Sequence, residues 1–62
     1  SLVEYIQDVK VERAQFLLRT REMTVDEIAA DLNYASGSYF SSVFRKKTGE
    51  SPTEYRRKHE II

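Results

Sequence analysis

The chain has 62 residues and a mass of 7.3 kDa, with no cysteine and a single histidine. This length allows one small domain, and the composition excludes a disulfide framework, a zinc site and cysteine chemistry. Ten basic residues balance ten acidic residues, so the formal net charge is zero and the total alone argues against nucleic acid as a partner.

The first predicted element is a long helix over residues 2–19, whose apolar positions lie on two faces. One face, called the apolar stripe below, consists of Leu2, Tyr5, Ile6 and Val9, extended by Phe16. The nearly opposite face consists of Val11, Ala14, Leu17 and Leu18. We predict that the second face packs on the rest of the chain and that another domain or chain covers the stripe. Packing of the stripe on the chain's own last helix, or on a neighbouring molecule, is the alternative.

The second predicted helix begins with a capping box, in which Thr24 and Glu27 satisfy each other's backbone N–H groups. Met23 and Ile28 have the spacing of a hydrophobic staple across the start of this helix. The helix should end near Asn33, because asparagine tolerates the left-handed conformation that a sharp turn needs.

A third helix follows after a turn of three residues, 33–35, and begins at the N-cap Ser36. Ala29 and Ala30 are small enough to let the second and third helices cross closely. Two short helices joined in this way are the outline of a helix-turn-helix. The third helix should end near Lys47, with Gly49 as its left-handed C-cap.

The two faces of the third helix differ in chemistry. The core face consists of Phe40, Val43, Phe44 and the stem of Lys47. The opposite face consists of Gly37, Ser38, Ser41, Ser42 and Arg45. Such a slim face fits a major groove about 12 Å wide, and Arg45, Lys46 and Lys47 would then lie beside phosphates. An ordinary solvated surface is the alternative interpretation of this face.

The fourth predicted helix begins with a second capping box, Ser51 to Glu54, and has Pro52 at its first position. It should run to about His59 and then fray. The adjacent residues Arg56, Arg57 and Lys58 either contact phosphate or only solubilise the protein.

Charge is distributed unevenly along the chain. Residues 1–31 hold four basic and seven acidic residues, whereas residues 32–62 hold six basic and three acidic residues. The basic second half restores nucleic acid as a candidate partner. No apolar run approaches the roughly 20 residues of a membrane span, and no signal peptide is recognisable, so we expect a cytoplasmic protein without a membrane partner.

Several segments together form a specific pattern that covers nearly the whole chain. They are Tyr5-Ile6, Arg13-Ala14, Leu17-Leu18, Thr24-Val25-Asp26-Glu27-Ile28-Ala29, Asn33-Tyr34, Ser38-Tyr39-Phe40, Val43-Phe44-Arg45-Lys46, Gly49 and Ser51-Pro52-Thr53-Glu54-Tyr55-Arg56. With these segments the chain resembles the C-terminal DNA-binding region of the bacterial AraC/XylS-type transcription regulators. The combination is far more specific than a helix-turn-helix outline alone.

The resemblance implies an all-α fold in which a long linker helix, residues 1–20, precedes a homeodomain-like three-helix subdomain, residues 21–62. This would be the second of two helix-turn-helix subdomains, with the first one upstream. The implied function is sequence-specific binding of duplex DNA, with the third helix, about residues 37–47, in the major groove. The matching recognition positions are Gly37, Ser38, Tyr39, Ser41, Ser42, Arg45 and Lys46. The start of the second helix, near Thr24 and Val25, would contact phosphate through backbone N–H groups.

Two departures from the family pattern bear on this function. Asn33 replaces the usual glycine of the turn, which its chemistry allows. Glycine and serines occupy recognition positions where longer side chains are usual, so direct base readout should be weak. We therefore expect this subdomain to contribute mainly backbone contacts and shape readout, with sequence choice resting on the first subdomain.

The implied partners are duplex DNA, the upstream subdomain, a sensor or receiver domain of a longer protein, and RNA polymerase. The competing interpretation is a helical protein–protein interaction module that uses the apolar stripe. An enzyme is not expected, because the sequence offers neither a nucleophile–base pair nor a set of metal ligands. No cofactor is expected either.

Overall fold

The computed structural model describes residues 1–59, which contain four α-helices. They are α1 (Leu2–Thr20), α2 (Val25–Asp31), α3 (Gly37–Thr48) and α4 (Pro52–His59). The all-α prediction is confirmed, and the helix ends lie within about two residues of their predicted positions. The predicted fraying after His59 falls outside the described residues. Within residues 1–59, none of the helices has the length and apolar character that crossing a bilayer requires.

The predicted helix caps are all formed. The Thr24 hydroxyl accepts a hydrogen bond from the Glu27 N–H at 3.1 Å, and the Glu27 carboxylate accepts one from the Thr24 N–H at 2.8 Å. Ser51 and Glu54 form the same reciprocal pair, at 3.1 and 2.9 Å. The Ser36 hydroxyl accepts from the third amide of α3 at 3.0 Å. These bonds satisfy N–H groups that would otherwise lack partners, and so fix where the short helices begin.

The turn between α2 and α3 is a Schellman motif. Asn33 has a φ of 65°, the left-handed conformation predicted for it. The Tyr34 N–H donates to the Ala29 carbonyl at 2.9 Å, and the Asn33 N–H donates to the Ala30 carbonyl at 3.0 Å. This 6→1 and 5→2 pair closes the last turn of α2 and redirects the chain into α3. Gly49, with a φ of 86°, ends α3 in the same left-handed region.

One apolar core joins the second half of α1 to the other three helices. Its members are Val11, Ala14, Leu17, Leu18, Ile28, Ala29, Leu32, Phe40, Val43, Phe44 and Tyr55. The apolar stripe lies outside this core, with exposures that range from 38% for Phe16 to 72% for Leu2. The predicted division of α1 into two faces is therefore confirmed, and the stripe does not pack on α4 in the described part of the chain.

Two arginines tie α4 to the end of α1. Arg56 donates from Nε to the Leu18 carbonyl at 3.1 Å and from its terminal nitrogen to the Arg21 carbonyl at 3.2 Å. Arg19 donates to the hydroxyl of the buried Tyr55 at 2.8 Å. Since the last carbonyls of a helix have no partners within it, a guanidinium in this position both satisfies them and complements the helix dipole.

The Tyr34 hydroxyl is buried without a hydrogen-bond partner in the described residues. Its ring packs on Phe40, with the centroids 5.3 Å apart, and the Lys10 ammonium lies 4.9 Å above it. Burial raises the pKa of the Tyr34 phenol; the neighbouring Tyr39 adds to this shift and Lys47 opposes it. The ring is therefore favourably placed, whereas its hydroxyl loses hydration without compensation.

We expect Tyr34→Phe to raise the free energy of unfolding by about 1 kcal/mol, because it removes an unsatisfied hydroxyl and keeps the ring contacts. Urea unfolding followed by circular dichroism measures this difference. Tyr39→Phe is the matched control and should leave stability unchanged, since Tyr39 is 51% exposed. A lower stability for Tyr34→Phe would show that the hydroxyl has a partner in solution.

Candidate nucleic-acid interface

The outward face of α3 is narrow and polar. Phe40 and Phe44 are fully buried and hold α3 against the core, so the opposite side of the helix is free. Ser38, Ser42, Arg45 and Lys46 are exposed there, and Ser41 is partly exposed. A helix is about 10–12 Å wide with its side chains, so only a face of short side chains fits closely into the major groove.

Ser42 is not a free donor. Its hydroxyl donates to the Ser38 carbonyl one turn earlier, at 3.1 Å, and its oxygen remains available as an acceptor. In the major groove the exocyclic amines of adenine and cytosine are the donors that such an oxygen can accept from. The Ser38 hydroxyl has no partner in the described residues and can serve either role.

The three basic residues of α3 differ in availability. Arg45 lies 3.8 Å from Glu54, but both side chains are largely exposed, so this pair is weak and leaves Arg45 free to bind elsewhere. Lys46 is exposed and forms no ion pair within residues 1–59. Lys47 lies 2.9 Å from Asp8 of α1, and its side chain is only 24% exposed. The hydrogen bond that Lys47 donates to the Asp8 carboxylate is the main cause that raises the pKa of Lys47.

The basic cluster of α4 divides in the same way. Arg56 is used to bind carbonyls at the end of α1. Lys58 pairs with Glu50 at 2.8 Å, and this contact raises the pKa of the lysine. Arg57 is exposed and without an ion pair in the described chain. Arg56 thus has a structural role that neither of the two interpretations left open for this cluster had included.

The start of α2 offers less to a phosphate than the sequence suggested. The Thr24 N–H already donates to the Glu27 carboxylate, and Val25 is partly buried against the core. Asp26 and Glu27 add two exposed carboxylates to the first turn. A phosphate contact here remains a prediction that would depend on the Val25 and Asp26 N–H groups, which have no acceptor within the described residues.

Gly37 lies where α3 approaches the first turn of α2. A Cβ at this position would overlap the Asp26 carboxylate. The Asp26 side chain is exposed and can rotate away, and its Cα would lie 3.8 Å from that Cβ, an ordinary contact distance, so the crossing of the two helices does not require a glycine here.

Tyr39 lies at the edge of the outward face, half exposed, with its ring 5.8 Å from that of Tyr34. The structure thus brings Ser38, Tyr39, Ser42, Arg45 and Lys46 onto one accessible surface of α3. Gly37 and Ser41 lie at its margin, and Thr24 and Val25 lie on a different helix. Within residues 1–59, acidic residues and histidine nowhere form a group of three or more that could hold a metal ion.

Comparison with known proteins gives concordant matches. A family model described as "Helix-turn-helix domain" matches residues 1–58. The transcriptional activator RhaR of Mannheimia succiniciproducens is 41% identical over 56 residues, which are 90% of this chain and 20% of that protein. The bifunctional transcriptional activator/DNA repair enzyme AdaA of Bacillus subtilis is 39% identical over 57 residues, 92% of this chain and 27% of that protein.

A solved structure matches along the full chain. The C-terminal domain of AraT, a response regulator from Geobacillus stearothermophilus, is similar with a TM-score of 0.96 and 35% identity. The match covers 100% of this chain and 51% of that one. This chain therefore spans about half of that domain structure, and 20% and 27% of the lengths of the RhaR and AdaA relatives.

Proposed function

Because the chain belongs to the AraC-type family of helix-turn-helix transcription regulators, we propose that it binds duplex DNA with α3 in the major groove. The observation that carries this proposal is the narrow outward face of α3, where short side chains are followed by Arg45 and Lys46. The buried rings of Phe40 and Phe44 hold α3 in a fixed position, so this face meets DNA preorganised.

The proposal assigns residues 1–20 to a linker helix and residues 21–62 to a second helix-turn-helix subdomain. An upstream subdomain covers the apolar stripe, whose large side chains are exposed here. A sensor or receiver domain and RNA polymerase are further partners of the longer protein. With serines on its reading face, this subdomain contributes backbone contact and shape readout more than base selection.

The proposed role is regulatory and not catalytic, and it needs no cofactor. The relatives are mainly transcription regulators, and although the name of AdaA includes DNA repair, this chain matches only 27% of that protein. A role on DNA places the protein in the cytoplasm, where the chromosome of a bacterium lies.

Removing the two free basic residues of α3 tests the proposal. We expect Arg45→Ala/Lys46→Ala to bind a labelled mixed-sequence duplex about 10- to 100-fold more weakly, because two charge-assisted contacts to phosphate are lost. The slope of log K against log salt should become shallower by about 0.9 for each contact. Fluorescence anisotropy at low and moderate salt measures both quantities.

Arg13→Ala is the control for loss of charge, since Arg13 lies on α1 and its guanidinium packs over the ring of Phe16, 5.3 Å from the centroid. It should leave both the affinity and the slope unchanged. Equal binding by the double variant and the wild type would contradict the placement of α3 in the groove.

A protein-interaction module is the second candidate function, and the exposed apolar stripe favours it. Apolar association strengthens or stays constant as salt rises, whereas DNA binding weakens steeply. Folded protein that binds no duplex at low salt but self-associates through the stripe would favour this second function.

A further inference from the structure

A groove runs between the first half of α1 and the flank of α3, beside the outward face of α3. The polar residues that line it are Glu4, Gln7, Tyr39, Ser42, Lys46 and Lys47. The Asp8–Lys47 ion pair, 2.9 Å long, links the two helices at this groove. The groove thus joins part of the proposed DNA-binding face to a segment of α1 that lies outside the helix-turn-helix.

We infer that Gln7 is a further DNA-binding residue, which donates a hydrogen bond from α1 to a backbone phosphate that Lys46 also contacts. This inference rests on the proposed function, because it requires α3 to lie in the major groove. It extends the DNA contact beyond α3 and gives the first half of α1 a direct role in binding.

The position of the groove favours a phosphate over a base. A helix about 10–12 Å wide nearly fills a major groove about 12 Å wide, so its flanks face the sugar–phosphate walls. Ser42 and Lys46 belong both to the outward face of α3 and to the lining of this groove. A strand that borders α3 on this side therefore passes over the groove, with Gln7 on its far wall.

The donor chemistry of the groove also fits a phosphate, which offers only acceptors. The Ser42 hydroxyl is engaged within α3 and Lys47 is paired with Asp8. Lys46, the Tyr39 hydroxyl and the amide of Gln7 remain as donors. Of the two uncharged donors Gln7 is the partly buried one, so its side chain loses little freedom on binding. Glu4 is the one carboxylate among the lining residues. Its charge disfavours a phosphate nearby, but its hydrogen bonds are with Ser1 and not with these donors.

An uncharged donor has a signature that separates it from a lysine. Loss of Gln7 weakens binding without altering the number of counterions released, whereas loss of Lys46 also makes the salt slope shallower by about 0.9. If Gln7 only supported α1, replacing it would leave DNA affinity unchanged. Alanine is a better helix former than glutamine and lysine is about equal to it, so neither substitution would weaken the helix.

The experiment compares Gln7→Ala, Gln7→Lys and Lys46→Ala with the wild type, using a labelled mixed-sequence duplex between about 50 and 200 mM salt. Gln15→Ala and Gln15→Lys are the matched controls, because Gln15 lies about two turns along α1 and outside the groove. We expect Gln7→Ala to bind about five- to tenfold more weakly with an unchanged slope. Gln7→Lys should bind at least as tightly as the wild type, with a slope steeper by about 0.9.

Identical behaviour of the Gln7 and Gln15 variants, with Lys46→Ala still weakened, would overturn the inference and leave the proposed function intact. Absence of duplex binding by folded wild-type protein would instead remove the proposed function, and the inference with it. Far-UV circular dichroism of each variant establishes that it is folded before the affinities are compared.

Discussion

Phe40→Ala is expected to leave much of the protein unfolded at 25 °C. Phe40 is fully buried, and its ring packs between those of Tyr34 and Phe44, with centroids 5.3 and 5.8 Å away. Truncation of such a side chain costs about 3–5 kcal/mol. Native domains are stable by roughly 0.05–0.15 kcal/mol per residue, so the whole margin of a chain this small is about 3–9 kcal/mol. The loss is therefore comparable to the total stability.

Urea unfolding followed by circular dichroism tests this expectation. Tyr39→Ala is the control: it removes an aromatic ring from the next residue, which is half exposed, and should cost less than about 1 kcal/mol. Phe40→Leu should be intermediate, because it keeps most of the buried apolar volume. If Phe40→Ala had the same free energy of unfolding as the wild type, Phe40 would not be part of the core in solution.

The features that were predictable from sequence are local ones. Each capping box involves residues three apart, and Asn33 and Gly49 carry their conformational preference in their own chemistry, so no knowledge of the fold was needed to place the helix ends. The buried faces of α1 and α3 followed from helical periodicity for the same reason. These elements were predicted to within about two residues.

The features that could not be predicted depend on how the helices cross. Asp8 and Lys47 are 39 positions apart, and nothing in either neighbourhood indicates that their side chains meet at 2.9 Å. The approach of Asp26 to Gly37 and the groove beside Gln7 likewise arise only once α1, α2 and α3 have a fixed relative orientation. Sequence analysis therefore predicted the polar outward face of α3, but neither the groove beside it nor the ion pair that engages Lys47.

The contacts of the basic residues of α4 also depend on how the helices cross, and one of them predicts a second large effect on the free energy of unfolding. Arg56 and Arg57 are adjacent and chemically identical, so their side-chain chemistry alone does not show which one supports the fold. The structure separates them: Arg56 is partly buried and bonded to the Leu18 and Arg21 carbonyls, whereas Arg57 is exposed. The contact matters because it joins α4 to the turn that leads into α2.

We expect Arg56→Ala to lower the free energy of unfolding by about 2–3 kcal/mol, because hydrogen bonds from a charged donor are lost and carbonyls at the end of α1 lose their partner. The free energy of unfolding of Arg56→Lys should lie between those of Arg56→Ala and the wild type, since an ammonium keeps the charge but cannot bridge two carbonyls as a guanidinium does. Arg57→Ala, which removes the same charge one residue later, should change stability by no more than about 0.5 kcal/mol. Urea unfolding gives all three values, and a stability for Arg56→Ala equal to that of Arg57→Ala would refute the structural role.

Salt-dependent duplex binding of folded Arg56→Ala then completes the assignment: an unchanged slope of log K against log salt is expected, because a guanidinium engaged with α1 releases no counterion from DNA.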